Sequence, residues 1–301
     1  MNPLVSVIIP FYNGVEWLSE AVQSVLDQTY NNFEIIVVND GSREDVTDFL
    51  KKYEDKVIYR YKENGGAATA RNLAMEIARG DYISFLDSDD LWLPEKTEKQ
   101  IAFMENNGAL WSHTGFYYWN PDTNKVRQVD NSSDFGNIYQ KYYISVKIAT
   151  PSVIIKKQLL NELSDPIFPV EYIKGQDSKF YHMISSIYPI YLVKEPLVKV
   201  RLRGNNTNTR ALVRFSFKSR QYLLLKENEY DYQKVSPTIR FVFMIYHFYR
   251  KLFGYYEISG PPVKELFAKF FWIIPFFIER FYLRFVIVRA IMKTDVNKYT
   301  T

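Results

Sequence analysis

The sequence predicts an α/β fold: a mostly parallel central sheet flanked by helices, followed by a helical C-terminal extension. Three observations carry this. Apolar, β-branched runs recur through the first part of the chain. Amphipathic stretches of crossover length separate them. Gly-, Asn- and Asp-rich turns punctuate the joins.

The elements follow in order. Leu4–Tyr12 reads as a strand buried on both faces and breaks at Asn13-Gly14. Val15–Asp27 places Trp17, Leu18, Ala21, Val22, Val25 and Leu26 at helical spacing. Phe33–Val38 is a second strand, closed by the turn Asn39-Asp40-Gly41-Ser42. A helix over Glu44–Tyr53 and a strand over Val57–Tyr61 come next. Asn64-Gly65-Gly66 opens a helix to about Ala78, and Tyr82–Leu86 is a fourth strand. Beyond Pro94 the expected elements are a helix to Asn106, a strand over Ala109–Trp119, a turn at Asn120–Asn124 and a strand over Ser152–Ile155. A helix over Gln176–Ile187 and strands over Ile190–Val193 and Leu197–Leu202 complete the series.

Composition sets bounds. A chain of 301 residues with 47% apolar content can bury a sizeable core. Without cysteine there are no disulfides and no thiolate metal ligands. The N-terminal apolar run is short and lacks a basic flank, so it reads as a strand rather than a secretion signal. Charge is uneven. Residues 1–200 hold 20 Lys and Arg against 27 Asp and Glu, a net of −7; residues 201–301 hold 18 against 7, a net of +11. An acidic body and a basic, aromatic tail suggest separate jobs.

In open parallel sheets ligands bind at the carboxyl ends of strands. Here those ends carry Pro10-Phe11-Tyr12-Asn13, Asn39-Asp40, Asn64-Gly65-Gly66 and Asp87-Ser88-Asp89-Asp90. Asp87 and Asp89 are two apart and project to one side of extended backbone. They suit a hard divalent cation, Mn²⁺ or Mg²⁺, that keeps positions open for phosphates. The plainer alternative is a solvated loop in which Asp90 caps the next turn. The end of a buried strand favours the metal, and a ligand-free structure is then expected to show solvated or disordered carboxylates.

Three segments carry a resemblance: VSVIIPFYNGVEWLSEAVQSVLDQTYNNFEIIVVNDGS, NGGAATARNLAMEIARGDYISFLDSDD and GQDSKFYHMIS. They resemble the inverting family 2 glycosyltransferases of the GT-A fold, over about residues 4–205 and most closely over 4–95. The resemblance implies a metal-dependent, hexosyltransferase-type enzyme that uses a nucleotide sugar, with UDP as its nucleotide. Residues 1–210 would be the catalytic domain, with 1–95 its donor half and 96–210 its acceptor half. Pro10, Tyr12 and Asp40 would surround the base, Asp40 accepting from a uracil-like N–H, with Asn13 also binding the donor. Gly66, Arg71, Asp87 and Ser88 would serve ribose and phosphates, and Asp89, with Asp87, the metal. Asp177 would be the general base for the acceptor hydroxyl. An aspartate in the first turn of a helix is also favoured by capping and the helix dipole alone. For Arg71 the alternative is a surface salt bridge.

The sequence departs from the family pattern at three places; one, Ala74 where the family has a glycine, would change only helix packing. Gln176 replaces a glutamate, leaving one fewer negative charge beside Asp177. Arg203 stands where many relatives have a histidine; it cannot ligate a metal but can bind diphosphate. Thr207 and Thr209 would lie on a loop over bound donor. Position alone suggests Trp111 and His113 as acceptor-pocket residues. His182 reads as a core or surface histidine.

Residues 211–301 are expected to be helical. Within them, Lys264–Lys293 is apolar and aromatic with interspersed cations, and its longest uncharged run, Phe270–Ile278, is too short for the roughly 20 residues of a span. A membrane-surface segment fits better, with packing on the catalytic domain or self-association into a homo-oligomer as the alternative. Nucleic acid is excluded by the apolar content. The resulting picture is a cytoplasmic enzyme, peripheral on the inner face of the cell membrane, that glycosylates a surface polysaccharide or a lipid-linked glycan. Transfer to a polyprenyl phosphate, and a binding protein with impaired catalysis, are the competing readings.

Overall fold

In a computed structural model, the residues described are 2–142, 146–163, 167–170, 175–202 and 296–301, with isolated positions between 237 and 277. The chain divides into two compact units. One comprises Met1–Ile138, Lys147–Leu202 and Val296–Thr301; the other comprises Tyr139–Val146 and Arg203–Asp295. Of the second, the described part is a short helix, Tyr139–Tyr142, and the isolated positions.

The first unit is built on one mixed sheet. Its opening strands are β1 (Val5–Phe11), β2 (Phe33–Asp40), β3 (Ile58–Lys62) and β4 (Tyr82–Phe85), all mutually parallel. The later strands are β5 (Leu91–Trp92), β6 (Trp111–Asn120), β7 (Lys125–Gln128), β8 (Val153–Lys156) and β9 (Tyr191–Arg201). The spatial order is β3-β2-β1-β4-β8-β6-β9-β5, with β7 paired to β6. β8, β5 and β7 run antiparallel to their neighbours; the other strands share one direction. The expected mostly parallel sheet is therefore present.

Helices α1 (Val15–Leu26), α2 (Thr47–Tyr53) and α3 (Ala67–Ile77) make the crossovers between β1 and β4. α1 buries Leu18, Ala21, Val22 and Val25, the stripe its periodicity predicts. α4 (Lys96–Asn107) follows β5, and α5 (Gln176–Ser185) precedes β9.

Three elements differ from expectation. β5, two residues long, is too short to carry a pattern, and β7 is exposed throughout, so it carries no buried apolar one. The two strands expected over Ile190–Val193 and Leu197–Leu202 are one, β9, which bulges against β6: Thr114 and Gly115 are adjacent but pair with Val193 and Pro196, so Lys194 and Glu195 are extra residues on β9. A Cβ on Gly115 would lie 2.6 Å from the Lys194 carbonyl, so this close approach requires glycine.

One feature of register shapes the site. Phe85, the last residue of β4, pairs with Ile8, while β1 continues through Phe11. The carboxyl edge therefore steps down at β4, and Asp87–Asp90 turn away inside that step.

Candidate active site

The donor half of the edge is organised by buried hydrogen bonds. Tyr12 is 54% exposed beyond β1, Asn13 is exposed and Pro10 is buried. Gly14 takes φ 83°, and its N–H and that of Val15 donate to the Glu44 carboxylate at 2.9 Å, so the head of α1 is capped from the β2–α2 loop. Asp40, at the end of β2, is buried. Its Oδ1 accepts from Lys62 Nζ at 2.7 Å and from the Gly65 N–H at 3.0 Å; its Oδ2 accepts from the Gly66 N–H at 2.8 Å. Gly66 has φ 89° and leads directly into α3. Asp40 thus folds the Asn64-Gly65-Gly66 turn and keeps about one carboxylate lone pair for anything outside.

α3 delivers Arg71 and Asn72. Arg71 Nη2 donates to Asp87 Oδ1 at 2.5 Å, with side-chain exposures of 8% and 33%. Its guanidinium lies over Phe168, 5.4 Å from the ring centroid, and its Nε has no hydrogen-bond partner among the described residues. Burial alone would pull the Arg71 guanidinium down; Asp87, with Tyr181 and Asp177, more than offsets that and holds it raised. Asn72 ties the Phe168 backbone in both directions, at 2.9 and 2.8 Å. Phe168 in turn packs on Phe85 and Phe180, with centroids 5.3 and 4.2 Å away.

The acidic turn is held from inside, which corrects the expectation of solvated or disordered carboxylates. Asp87 is paired with Arg71. Asp90 is buried, donates its N–H to the Asp87 carbonyl at 3.0 Å and accepts the Arg201 N–H at Oδ1, 2.8 Å. Ser88 and Asp89 are half-buried. Among the described residues no three or more His, Cys, Asp or Glu side chains converge as a ready-made metal site. Asp89 with the remaining Asp87 oxygen still fits a cation of the Mg²⁺ type, which takes one or two carboxylates and completes its shell with phosphates and water.

Asp177 opens α5 after Gly175, which has φ 78°. Its Oδ1 accepts the Ser178 N–H at 2.7 Å, and its Oδ2 accepts the Thr150 hydroxyl at 3.3 Å. Thr150 precedes β8, the strand beside β4. Asp177 and Asp87 both act electrostatically on Arg71 and on Tyr181, one turn along α5. Burial, then the Asp177 charge, pushes the Tyr181 phenol up. His182 is driven down to about 3, first by burial and then by Lys179, and is neutral at ordinary pH.

The structure thus joins Asp40 to Gly66, and Arg71 to Asp87, and sets Asp177 within electrostatic reach of the second pair. It corrects the placement of Trp111 and His113. Both are fully buried, Trp111 stacked on Tyr181 and His113 bonded to the Asp134 carbonyl, so neither lines an acceptor pocket. Arg203, Thr207, Thr209 and Lys264–Lys293 lie outside the described residues, apart from Phe277. Sequence reasoning missed Glu44, Asn72, Lys62, Thr150 and Arg201. Two had a signal: Asn72 beside Arg71 in Thr69-Ala70-Arg71-Asn72, and Arg201 in Arg201-Leu202-Arg203, where many relatives carry Arg-x-His.

Crossovers on a mainly parallel sheet, glycine turns at its carboxyl edge and an acidic turn in the step beside β4 define a GT-A-type glycosyltransferase domain. The model of the family described as "Glycosyl transferase family 2" matches residues 6–163, more than half of the chain, and the protein belongs to that family. It is 40% identical over 205 residues to an "Uncharacterized glycosyltransferase" of Rickettsia bellii, across 67% of this chain and 29% of that protein. It is 46% identical over 116 residues to the Escherichia coli "UDP-Glc:alpha-D-GlcNAc-diphosphoundecaprenol beta-1,3-glucosyltransferase WfaP", across 38% of this chain and 46% of that protein. The chain spans about a third or less of the length of the Rickettsia bellii, conorii and felis relatives it matches. Staphylococcus aureus TarS 1-349 in complex with UDP-GlcNAc superposes with a TM-score of 0.61 at 20% identity, covering 98% of this chain and 89% of that one. The mannosyltransferase PcManGT of Pyrobaculum calidifontis, in complex with GDP-Man and Mn²⁺, gives 0.55 at 16% identity, covering 99% and 78%. At these identities the two structures share the fold with this chain. Among the described residues no helix is long and apolar enough to cross a membrane.

Proposed function

We propose that the protein transfers a sugar from a UDP-sugar to an acceptor hydroxyl, with inversion, in the synthesis of a surface polysaccharide or a lipid-linked glycan. The observation that carries this is the grouping of Asp177, Arg71 and Asp87 at the stepped carboxyl edge. We assign one carboxylate, Asp177, to the acceptor and the Arg71–Asp87 pair to the donor. The choice of UDP, and of an acceptor on a polyprenyl diphosphate, is supported by the substrate in the name of WfaP and by the ligand of TarS.

The chemistry is a single displacement. Asp177 takes the proton of the acceptor hydroxyl as that oxygen attacks the anomeric carbon. The bond from that carbon to the diphosphate breaks, and the nucleoside diphosphate leaves. Arg71 faces the developing negative charge with a guanidinium in a low-dielectric wall. Pro10, Tyr12, Asn13 and the open lone pair of Asp40 hold the base; Gly66, Asp87 and Ser88 approach ribose and phosphate. Mn²⁺ or Mg²⁺ held by Asp89 and Asp87 would neutralise the diphosphate. Residues 1–95 form the donor half and 96–210 the acceptor half, and the basic stretch 211–301 brings the enzyme to the membrane surface where a lipid-linked acceptor resides.

Asp177→Asn tests the reading. Turnover of UDP-sugars on undecaprenyl-diphosphate-linked sugar is expected to fall at least about 100-fold, while UDP still raises the melting temperature. Unchanged turnover sinks the base assignment.

A further inference from the structure

Arg201 closes β9 and is buried at the carboxyl edge, its side chain 3% exposed. Its bonds run in three directions. The backbone N–H donates to Asp90 Oδ1 at 2.8 Å, Nε donates to the Asp89 carbonyl at 2.7 Å, and Nη2 donates to Glu20 Oε2 on α1 at 2.5 Å. The guanidinium also lies 4.6 Å from the Trp119 ring centroid on β6 and 5.6 Å from that of Trp17 on α1. A planar fork with donors on several edges and two faces for stacking can serve all of these partners at once; an ammonium cannot.

These partners belong to the parts that must hold one spacing around a donor. The acidic turn is gripped at both ends, by Arg71 on the Asp87 side chain and by Arg201 on the Asp89 carbonyl and, through its backbone, the Asp90 carboxylate. α1, which carries Glu20 and Trp17, begins directly after Tyr12-Asn13-Gly14. We infer that Arg201 is a positioning residue for donor binding, locking the backbone of Asp89 to α1 and so to the base-side loop. The inference rests on the donor site proposed above. Arg201 stays within the wall of the site while the residues it anchors meet the nucleotide.

The experiment is calorimetric titration of UDP, with and without Mn²⁺, into the full chain as wild type, Arg201→Lys and Glu20→Gln, with melting temperatures recorded alongside. The lysine variant is expected to bind UDP with Mn²⁺ at least tenfold more weakly than wild type. Glu20→Gln, which removes only the anchor on α1, is expected to weaken binding two- to fivefold and decides the matter if the lysine variant fails to fold. A lowered melting temperature with UDP affinity within twofold of wild type, in every variant that folds, would leave Arg201 a purely structural residue and overturn the inference. Wild type binding no UDP in either condition would mean that the donor reading itself has failed, and the inference with it.

Discussion

Lys96 is the most improbable residue of the core, and its state can be tested by pH. It sits in the first turn of α4, fully buried, with Nζ donating to Ser84 Oγ at 2.9 Å and lying 3.8 Å from the centroid of the Trp92 ring. Two effects compete. A cation over an indole in a dry site gains on the order of 2 kcal/mol. Removing an ammonium from water without a carboxylate partner costs several kcal/mol. Desolvation wins: the amine is held well below its usual 10.5, so the fold disfavours its charged form.

The sign follows from linkage. The unfolded chain binds a proton at Lys96 up to its ordinary value, and the folded chain binds it only at lower pH. This group's contribution is fully favourable only above about 10.5 and is lost as pH falls toward the depressed native value. One proton difference is worth about 1.4 kcal/mol per pH unit. Lys96→Met keeps the volume and removes the titration, at a cost of about 1 kcal/mol for the acceptor it leaves unpaired on Ser84; the Ser84 hydroxyl still donates to the Val153 carbonyl at 2.9 Å. Denaturant unfolding followed by tryptophan fluorescence at pH 7.5, 8.5 and 9.5 is the assay. The stability of wild type is expected to rise with pH relative to Lys96→Met, by at most about 1.4 kcal/mol per unit. Parallel curves would mean that the ammonium is charged in the fold and that the aromatic contact outweighs desolvation.

Two further substitutions probe the edge and the sheet. Asp40→Asn turns an amide toward donors that now meet a carboxylate, so the ligand-free protein should lose about 2 kcal/mol of stability by denaturant unfolding; an unchanged midpoint would confine Asp40 to a role in base reading. Gly115→Ala drives a methyl into the Lys194 and Glu195 backbone and is expected to cost about 1–3 kcal/mol in the same assay.

What the sequence revealed, and what it hid, follows from the range of the forces involved. β1 and β2 were legible because strands buried on both faces must be apolar throughout. α1 was legible because its buried stripe is apolar at helical spacing. α4 has an equally regular buried face, Lys96, Thr97, Gln100, Ile101 and Met104, but three of the five are polar and the stripe reads as solvent-facing. Gln100 is buried because it donates to the Ser112 hydroxyl on β6 and to the Ser152 carbonyl in the turn before β8, partners outside its own helix. The site divides in the same way. That Gly65-Gly66 marks a turn is local chemistry. That Asp40 folds it requires the register of β2 on β3, which pairs Asp40 with Lys62. Arg201 was passed over in favour of Arg203 because nothing local marks an arginine at a strand end as buried.

These long-range bonds also change how the acidic edge should be understood. Four carboxylates of that edge have partners inside the protein: Asp40 with Lys62, Gly65 and Gly66, Asp87 with Arg71, Asp90 with the Arg201 backbone, and Asp177 with Thr150 and Ser178. The cluster is pre-organised, so an arriving donor need not meet the entropy of ordering it. A different cost takes its place. Arg71 is committed to Asp87, and a diphosphate that recruits this guanidinium must either share it or draw Asp87 away. A cation on Asp89 and Asp87 would favour the second course, since it offers Asp87 a new partner as Arg71 turns to the phosphates. If the donor binds as proposed, the salt bridge at 2.5 Å would be the ligand-free arrangement of two groups that the donor would separate, and Asp87 would couple cation and nucleotide binding.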